Sequence, residues 1–406
     1  MTAVGTTFDV VVGPVAHGGH CVARHDGRVV FVRHALPGER VRVEVTEGHD
    51  RSKFWRADAV EVLEASPDRV VPPCPWAGPG RCGGCDWQHA SLDAQRRLKA
   101  QVVQEQLRRL ARVEQAVVVE EVPGAPQGLG WRTRVQYALD GGGRAGLRAH
   151  RSHAVVPVDT CRIAHPLVVE AGITGERWAG CTSVEVVASV GTGERIVLAT
   201  GDGGGVRTIE APDPADPHVT ETVGPRSFRV SGSGFWQVHP GAAAALLDAV
   251  LSGLDPQPGE SALDLYCGVG LFAAGLAERV GAGGRVTAVE ADRGAVADAR
   301  RNLADLPGVR VERGRVDHVL RRIRLRRADL VVLDPPRSGA GRAVVGMLGR
   351  VRARRIAYVA CDPAALARDL AWFAEGGYRL RDLRAFDLFP MTHHVECVAI
   401  LEPVSP

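Results

Sequence analysis

Residues 261–290 read SALDLYCGVGLFAAGLAERVGAGGRVTAVE. An apolar run, SALDLYC, has strand character and gives way to glycines at 268 and 270. A helical stretch, LFAAGLAERV, follows, and a second strand-like run, RVTAVE, ends on Glu290. Gly268 and Gly270 let the backbone turn sharply and approach a ligand closely. A glycine pair alone is weak evidence, because turns use glycine for geometry only. An acid ending the next strand, where it can accept from a ribose diol, strengthens the reading. The same alternation continues outward. GAAAALLDAVLSGL precedes it as a helix; GAVADARRNLADL (helix), VRVERG (strand), ADLVVLDPP (strand) and RIAYVAC (strand) follow. This βα pattern predicts a parallel, doubly wound sheet with helices on both faces.

Two cofactors compete for the glycine loop. GVGLFA fits a permissive dinucleotide fingerprint, G-x-G-x-x-G/A. Asp264, however, stands ahead of the glycines in the order D-x-x-x-G-x-G. A pyrophosphate is repelled by an acid beside its loop, whereas a sulfonium and an amine tolerate one. The arrangement resembles motif I of the class I S-adenosylmethionine-dependent methyltransferases.

Three further stretches bear on chemistry. LDPPR, 333–337, has two prolines that lack backbone donors and fix φ, giving a rigid platform or simply a structural turn. A D/N-P-P-aromatic platform in methyltransferases holds an amine; here Arg337 stands fourth, which points to a carbon target. YVACDP, 358–363, ends a strand on Cys361, either a core cysteine or a nucleophile at a strand's carboxyl end. Uracil C5 is a poor nucleophile until a thiolate adds to C6, after which a base must remove the C5 proton. Such chemistry needs one cysteine and one general base. Glu396 of HHVEC would by itself read as an exposed strand acid, and His393–His394 as a solvated pair.

LDPPRSGAG, YVACDPAALARDL and FPMTHHVECVAIL together resemble the C-terminal signatures of the class I RNA 5-methyluridine methyltransferases. The resemblance is strong over 5–110 and 230–402 and faint between them. It implies Cys361 as nucleophile and Glu396 as general base. It implies Gln237, Tyr266, Gly268, Glu290 and Asp334 as positions that bind S-adenosylmethionine, Asp334 also lying near the substrate. The family usually has asparagine where Asp362 stands, often serine at Ala360, and frequently asparagine at His239. Arg315 occupies a position where an acid beside the adenine is expected.

The N-terminal stretch alternates in short runs, FDVVVGPV, VVFVRHAL, ERVRVEVTE and FWRADAVEVLEA, with turns at Gly18-Gly19, Asp26-Gly27 and Pro37-Gly38. This predicts a small OB-like β-barrel, either a nucleic-acid binder or an inert module. SLDAQRRLKAQVVQEQLRRLAR, 91–112, reads as a helix capped by Ser91. CPWAGPGRCGGC groups Cys74, Cys82 and Cys85, thiols that can chelate zinc or an iron–sulfur cluster. A zinc site would want a second C-x-x-C, and a C-x₃-C-x₂-C radical motif is missing. The segment resembles the 4Fe-4S motif of the family's TRAM-containing branch, with the first spacing two residues longer. That resemblance implies Cys161 as the fourth ligand and an RNA-gripping TRAM domain at the N-terminus. Barrel and cluster together favour 23S rRNA over transfer RNA as the substrate.

The 406 residues carry a net charge of +3 and nine cysteines, an odd number that disfavours a disulfide framework. Only Lys53 and Lys99 are lysines, a bias that GC-rich coding explains and that RNA binding permits. No secretory leader or membrane-length run is read, so a cytoplasmic monomer without membrane contact is expected. RRIRLRR, 321–327, reads as a solvated helix face, with phosphate contact as the rival. The expected architecture is a multidomain α/β protein. It comprises a TRAM-like barrel over 1–65, a β-rich central domain with the cysteines over 66–235, and a Rossmann-like methyltransferase domain over 236–406. Two other classes stay open: a non-catalytic RNA-binding assembly factor, and an NAD-linked iron–sulfur oxidoreductase.

Overall fold

The computed structural model describes residues 3–323 and 327–404. Part of the 321–327 basic run therefore lies outside the described residues.

Seven of the eight strands of the C-terminal sheet come from residues 261–403: β1 Ser261–Leu265, β2 Arg285–Glu290, β3 Val309–Arg313, β4 Leu330–Leu333, β5 Arg355–Ala360, β6 Tyr378–Asp387 and β7 Glu396–Pro403. Their order is β3-β2-β1-β4-β5-β7-β6. The first five are parallel and β7 runs antiparallel to both its neighbours. Alternate residues feed two cores. Ala262, Val332, Ala357 and Val359 join one, and Leu263, Val331, Ile356 and Tyr358 join the other. Both faces are covered, which is why these strands read as nearly unbroken apolar runs.

The closing hairpin β6–β7 lies at one end of the sheet, with β7 between β5 and β6. CVAIL is buried at every position, so both faces of β7 need cover, which an exposed edge would not give. The edge beyond β6 is taken by Val119–Glu121, paired in parallel.

Helix Leu92–Gln106 is capped by Ser91, whose Oγ accepts from the Ala94 amide at 3.3 Å. This helix packs on helix Pro363–Glu375 of the C-terminal half. It carries Lys99, wholly buried, with Nζ 2.5 Å from Asp387 Oδ1 and 3.0 Å from the Phe389 carbonyl. The pair ties the helix to the end of β6 and to the loop that leads into β7. Breaking a buried pair strands the remaining charge, at a cost of about 3–5 kcal/mol. Lys99→Met is therefore expected to lower the thermal midpoint by several degrees, and Lys99→Met/Asp387→Leu to recover most of it. Scanning calorimetry checks this; equal loss in the single and double variants would refute it.

The N-terminal sheet has strands Thr7–Val11, Cys21–His25, Arg28–Arg33, Arg40–Glu47 and Phe54–Glu64, ordered first, fourth, fifth, third, second. Gly13 donates to the Val22 carbonyl at 2.7 Å and Val22 donates to that of Pro14 at 2.9 Å, linking the first strand's continuation to the second. Asp26 and Gly27, at φ 48° and 78°, make the hairpin turn that their sequence predicts. Between the two halves lies a six-stranded antiparallel sheet built from residues 134–210, followed by the hairpin His218–Val223 and Arg226–Ser231. No helix among the described residues is long and apolar enough to cross a membrane.

Candidate active site

The parallel strands deliver their carboxyl ends to one rim of the sheet. After β1 the chain turns through Tyr266 (φ 64°), Gly268 (φ 54°) and Gly270 (φ 98°) into helix Leu271–Val280. A Cβ on Gly270 would lie 2.8 Å from Leu303 Cδ1, whereas one on Gly268 would meet nothing within 4 Å. Gly270 is thus needed for packing, and Gly268 borders open space on the ligand side. Glu290, at the end of β2, accepts from the Gly268 amide at 3.1 Å and from Ala291 and Asp292 at 2.6 and 2.8 Å. These bonds hold its carboxylate beside the loop.

Asp264 is fully buried behind the same loop. Its Oδ2 accepts from the Ala273 amide at 2.8 Å, and its Oδ1 has no partner among the described residues. Burial, then the Asp334 and Glu290 carboxylates, push its pKa up to about 8. Three acids thus bear on one nucleotide loop. That field disfavours a pyrophosphate and suits a donor carrying a sulfonium and an amine. The orphaned oxygen and the open side of Gly268 fit such a group. Gln237 lies half-buried in the segment before helix Ala242–Leu254, with no side-chain hydrogen bond among the described residues. Its neighbour Val238 is fixed by Thr133, whose amide and hydroxyl both donate to the Val238 carbonyl. Arg315 pairs with Asp317 at 3.1 Å, and Asp317 and Asp369 both bear on Tyr266.

Next along the rim stand Asp334, Cys361 and Glu396. Leu333 is level with Tyr358, and Ala360 is paired with Cys397. One step further along the antiparallel ladder sets Cys361 opposite Glu396. Glu396 is buried, not the exposed acid that its strand position alone would suggest. Burial, then Asp334, raise its pKa well above the usual range, against the pull of the Arg337 guanidinium. Burial lifts Asp334 to about 7. Burial, then Glu396, push the Cys361 thiol up to about 12, again opposed by Arg337. The site without ligands is therefore starved of positive charge.

The LDPPRSGAG loop is fastened from behind. Asp369 Oδ2 accepts from the Tyr358 hydroxyl at 2.7 Å, from the Ala340 amide at 2.7 Å and from the Gly341 amide at 3.2 Å. A Cβ on Gly339 would come within 2.6 Å of that oxygen, so the loop closes this tightly only on glycine.

Comparisons with known proteins agree with this geometry. The family described as tRNA (Uracil-5-)-methyltransferase matches residues 226–404, and the TRAM domain matches residues 2–60. An uncharacterized RNA methyltransferase of Streptomyces coelicolor is 54% identical, over 100% of this chain and 94% of its own length. Another, of Bifidobacterium longum, is 40% identical over 95% of this chain and 94% of its own. The chain belongs to the RNA (uracil-5-)-methyltransferase family. The crystal structure of Pyrococcus abyssi tRNA (uracil-54, C5)-methyltransferase with S-adenosyl-L-homocysteine shares the fold. Its TM-score is 0.70 at 23% identity, covering 96% of this chain and 99% of that one. This protein is accordingly an S-adenosylmethionine-dependent RNA methyltransferase with a TRAM domain, and the oxidoreductase reading is set aside.

The methyltransferase gathers the four cysteines singled out from its sequence. Cys74, Cys82, Cys85 and Cys161 all line one cavity of about 220 Å³, together with Gln88 and Arg132. Gln88 Oε1 accepts from the Cys74 amide at 3.0 Å. Among the described residues, no three His, Cys, Asp or Glu side chains stand close enough to hold a single metal ion. A tetrahedral zinc would draw its sulfurs to within about 3.8 Å of one another. The arrangement is thus a cavity rimmed by thiols.

Several site residues had no signal in the sequence. His393 and His394 are not a solvated strand pair: they lie in the loop before β7, rings 4.1 Å apart. His393 Nδ1 is 2.6 Å from Asp86 Oδ2, and burial lowers His394 to about 3. Asp86, His17 and Asp369 escaped notice because each acts on a residue far away in the chain or by capping a loop from behind. Asp362 turns its carboxylate into the start of helix Pro363–Glu375, where Oδ1 accepts from the Ala365 amide at 2.8 Å.

Proposed function

We propose that this enzyme methylates C5 of a uridine in 23S-type ribosomal RNA through a covalent bond between Cys361 and C6. The observation that carries the reading is the pairing of Ala360 with Cys397, which brings the adjoining Cys361 and Glu396 together at the rim that also bears the nucleotide loop. Gln237, Tyr266, Gly268, Glu290 and Asp334 would hold S-adenosylmethionine, which when bound supplies an electrophilic methyl group. Its positive charge would also relieve the crowd of carboxylates and bring the thiol's pKa down. The Cys361 thiolate adds to C6, and the C5=C6 electron pair becomes nucleophilic at C5. After C5 has gained its methyl group, Glu396 removes the C5 proton. The C5=C6 bond re-forms and expels the Cys361 sulfur as thiolate. The target base is flipped out of its stack to reach this rim.

A second reading has its own support. The P. abyssi tRNA (uracil-54, C5)-methyltransferase shares the fold over 96% of this chain, so the three-part architecture is compatible with transfer RNA too. Mass spectrometry of 5-methyluridine in separated ribosomal and transfer RNA, with and without the gene, tests both. Loss confined to ribosomal RNA supports the first reading, and loss confined to transfer RNA the second. Unchanged 5-methyluridine in both pools would overturn the proposal.

The thiol-rimmed cavity fits a 4Fe-4S cluster held by Cys74, Cys82, Cys85 and Cys161, since four thiolates around a roomy cavity suit a cluster better than one ion. Protein purified anaerobically should show a broad visible absorbance that Cys161→Ser abolishes. Colourless, iron-free protein under those conditions would remove the cluster.

A further inference from the structure

The residue after the proposed nucleophile is in contact with the other end of the chain. Asp362 Oδ2 lies 3.1 Å from His17 Nε2, across a sequence separation of 345. His17 belongs to the loop between the first two strands of the N-terminal sheet. That loop is seated firmly on the catalytic half. Trp87 Nε1 donates to the Gly19 carbonyl at 3.0 Å, and a Cβ on Gly19 would lie 2.6 Å from His393 Cβ. Asp362 divides its two oxygens: Oδ1 caps helix Pro363–Glu375 and Oδ2 meets His17. Both partners are partly screened, with side chains 40% and 26% exposed.

We infer that His17 is a positioning residue for methyl transfer: it holds and neutralises the Asp362 carboxylate beside Cys361, making the reactivity of the thiol depend on docking of the TRAM domain. The inference rests on the nucleophilic role proposed above for Cys361. The electrostatics agree. The hydrogen bond to Asp362 leads the causes that raise the pKa of His17, with the Glu105 carboxylate adding to it. Glu105 is itself paired with Arg109 at 3.2 Å. Burial works against ionisation of Asp362, but the bonds from His17 and the Ala365 amide hold its carboxyl below the usual range. The charged groups that bear most on Cys361 are Glu396, Arg337, Asp334 and Asp362, three acids against one guanidinium. Without His17, the Asp362 charge would bear on the thiol unrelieved.

The test is a rescue experiment on the full-length protein. His17→Ala should lower the rate of Cys361 alkylation by iodoacetamide at fixed pH about three- to tenfold, read on the Cys361 peptide by mass spectrometry. It should lower kcat for methyl transfer by a similar factor and leave KM for the donor unchanged. Asp362→Asn keeps an oxygen for the Ala365 amide and carries no charge, so His17→Ala/Asp362→Asn should regain both rates. A higher KM for RNA without change in kcat or alkylation would show a role confined to RNA binding and overturn the inference. Failure of Asp362→Asn to rescue would overturn it equally. The alkylation readout needs no RNA, so it stands apart from the proposed mechanism. An active Cys361→Ala enzyme would sink that mechanism, while an inactive one with unrescued alkylation would sink only the role of His17.

Discussion

Cys361→Ala should reduce 5-methyluridine formation by about 10⁴–10⁶-fold, the usual consequence of removing a covalent nucleophile. The methyl donor should bind as before, because Cys361 belongs to the rim after β5, whereas the nucleotide loop follows β1. Calorimetric titration with S-adenosylhomocysteine separates the two effects. The substitution should leave stability nearly unchanged, because the side chain is only half-buried. A half-buried thiol pushed up to about 12 is not an ionised group that the fold relies on. Retention of more than a hundredth of the activity would show that C5 is activated without a thiolate, and the covalent scheme would fail.

Glu396→Gln should separate methyl transfer from release. Burial raises the pKa of Glu396 well above the usual range, so glutamine copies the side chain's shape and the neutrality its surroundings favour. Folding and the first chemical steps should survive. Proton removal from C5 should slow by about 10²–10⁴-fold, the range for loss of a general base. Methylated RNA would then remain bonded to protein and run as a band that resists denaturing electrophoresis. The pH dependence has a definite sign. Glu396 acts as a base only when ionised, and its pKa is raised, so release in the native enzyme should quicken as pH climbs toward that pKa. In the glutamine variant that slope should vanish. A variant that turns over normally, or that never forms the adduct, would remove Glu396 from the role of base.

Sequence reading reached the parts of this enzyme that are local. The alternation of apolar runs gave the parallel sheet, since strands covered on both faces are apolar throughout. Gly268 and Glu290 could be named because each sits in a short motif at a strand end, whereas Cys361 and Glu396 took their roles from the family resemblance of YVACDP and HHVEC. Pairings between distant segments were out of reach. Lys99 and Asp387 are 288 residues apart, and His17 and Asp362 are 345 apart. No periodicity or spacing encodes such partners; they are set by which faces the finished topology presses together. The short strand Val119–Glu121, paired beyond β6 at the sheet's end, was out of reach for the same reason. The histidines at 393 and 394 read as a solvated pair because their cover, Asp86 and the Gly19 loop, comes from distant parts of the chain.

The Lys99–Asp387 pair also sets a timetable for synthesis. A ribosome adding about 5–20 residues per second needs roughly 15–60 s to cover the 288 residues between them. Through that interval helix Leu92–Gln106 has neither its ionic partner nor the helix it packs against, and Val119–Glu121 has no strand to pair with. The nascent chain must therefore carry an amphipathic helix and an unpaired strand unprotected until its final segment emerges. The N-terminal sheet, with a core of its own, can form early, whereas the segment that follows it completes its packing only with the last strands.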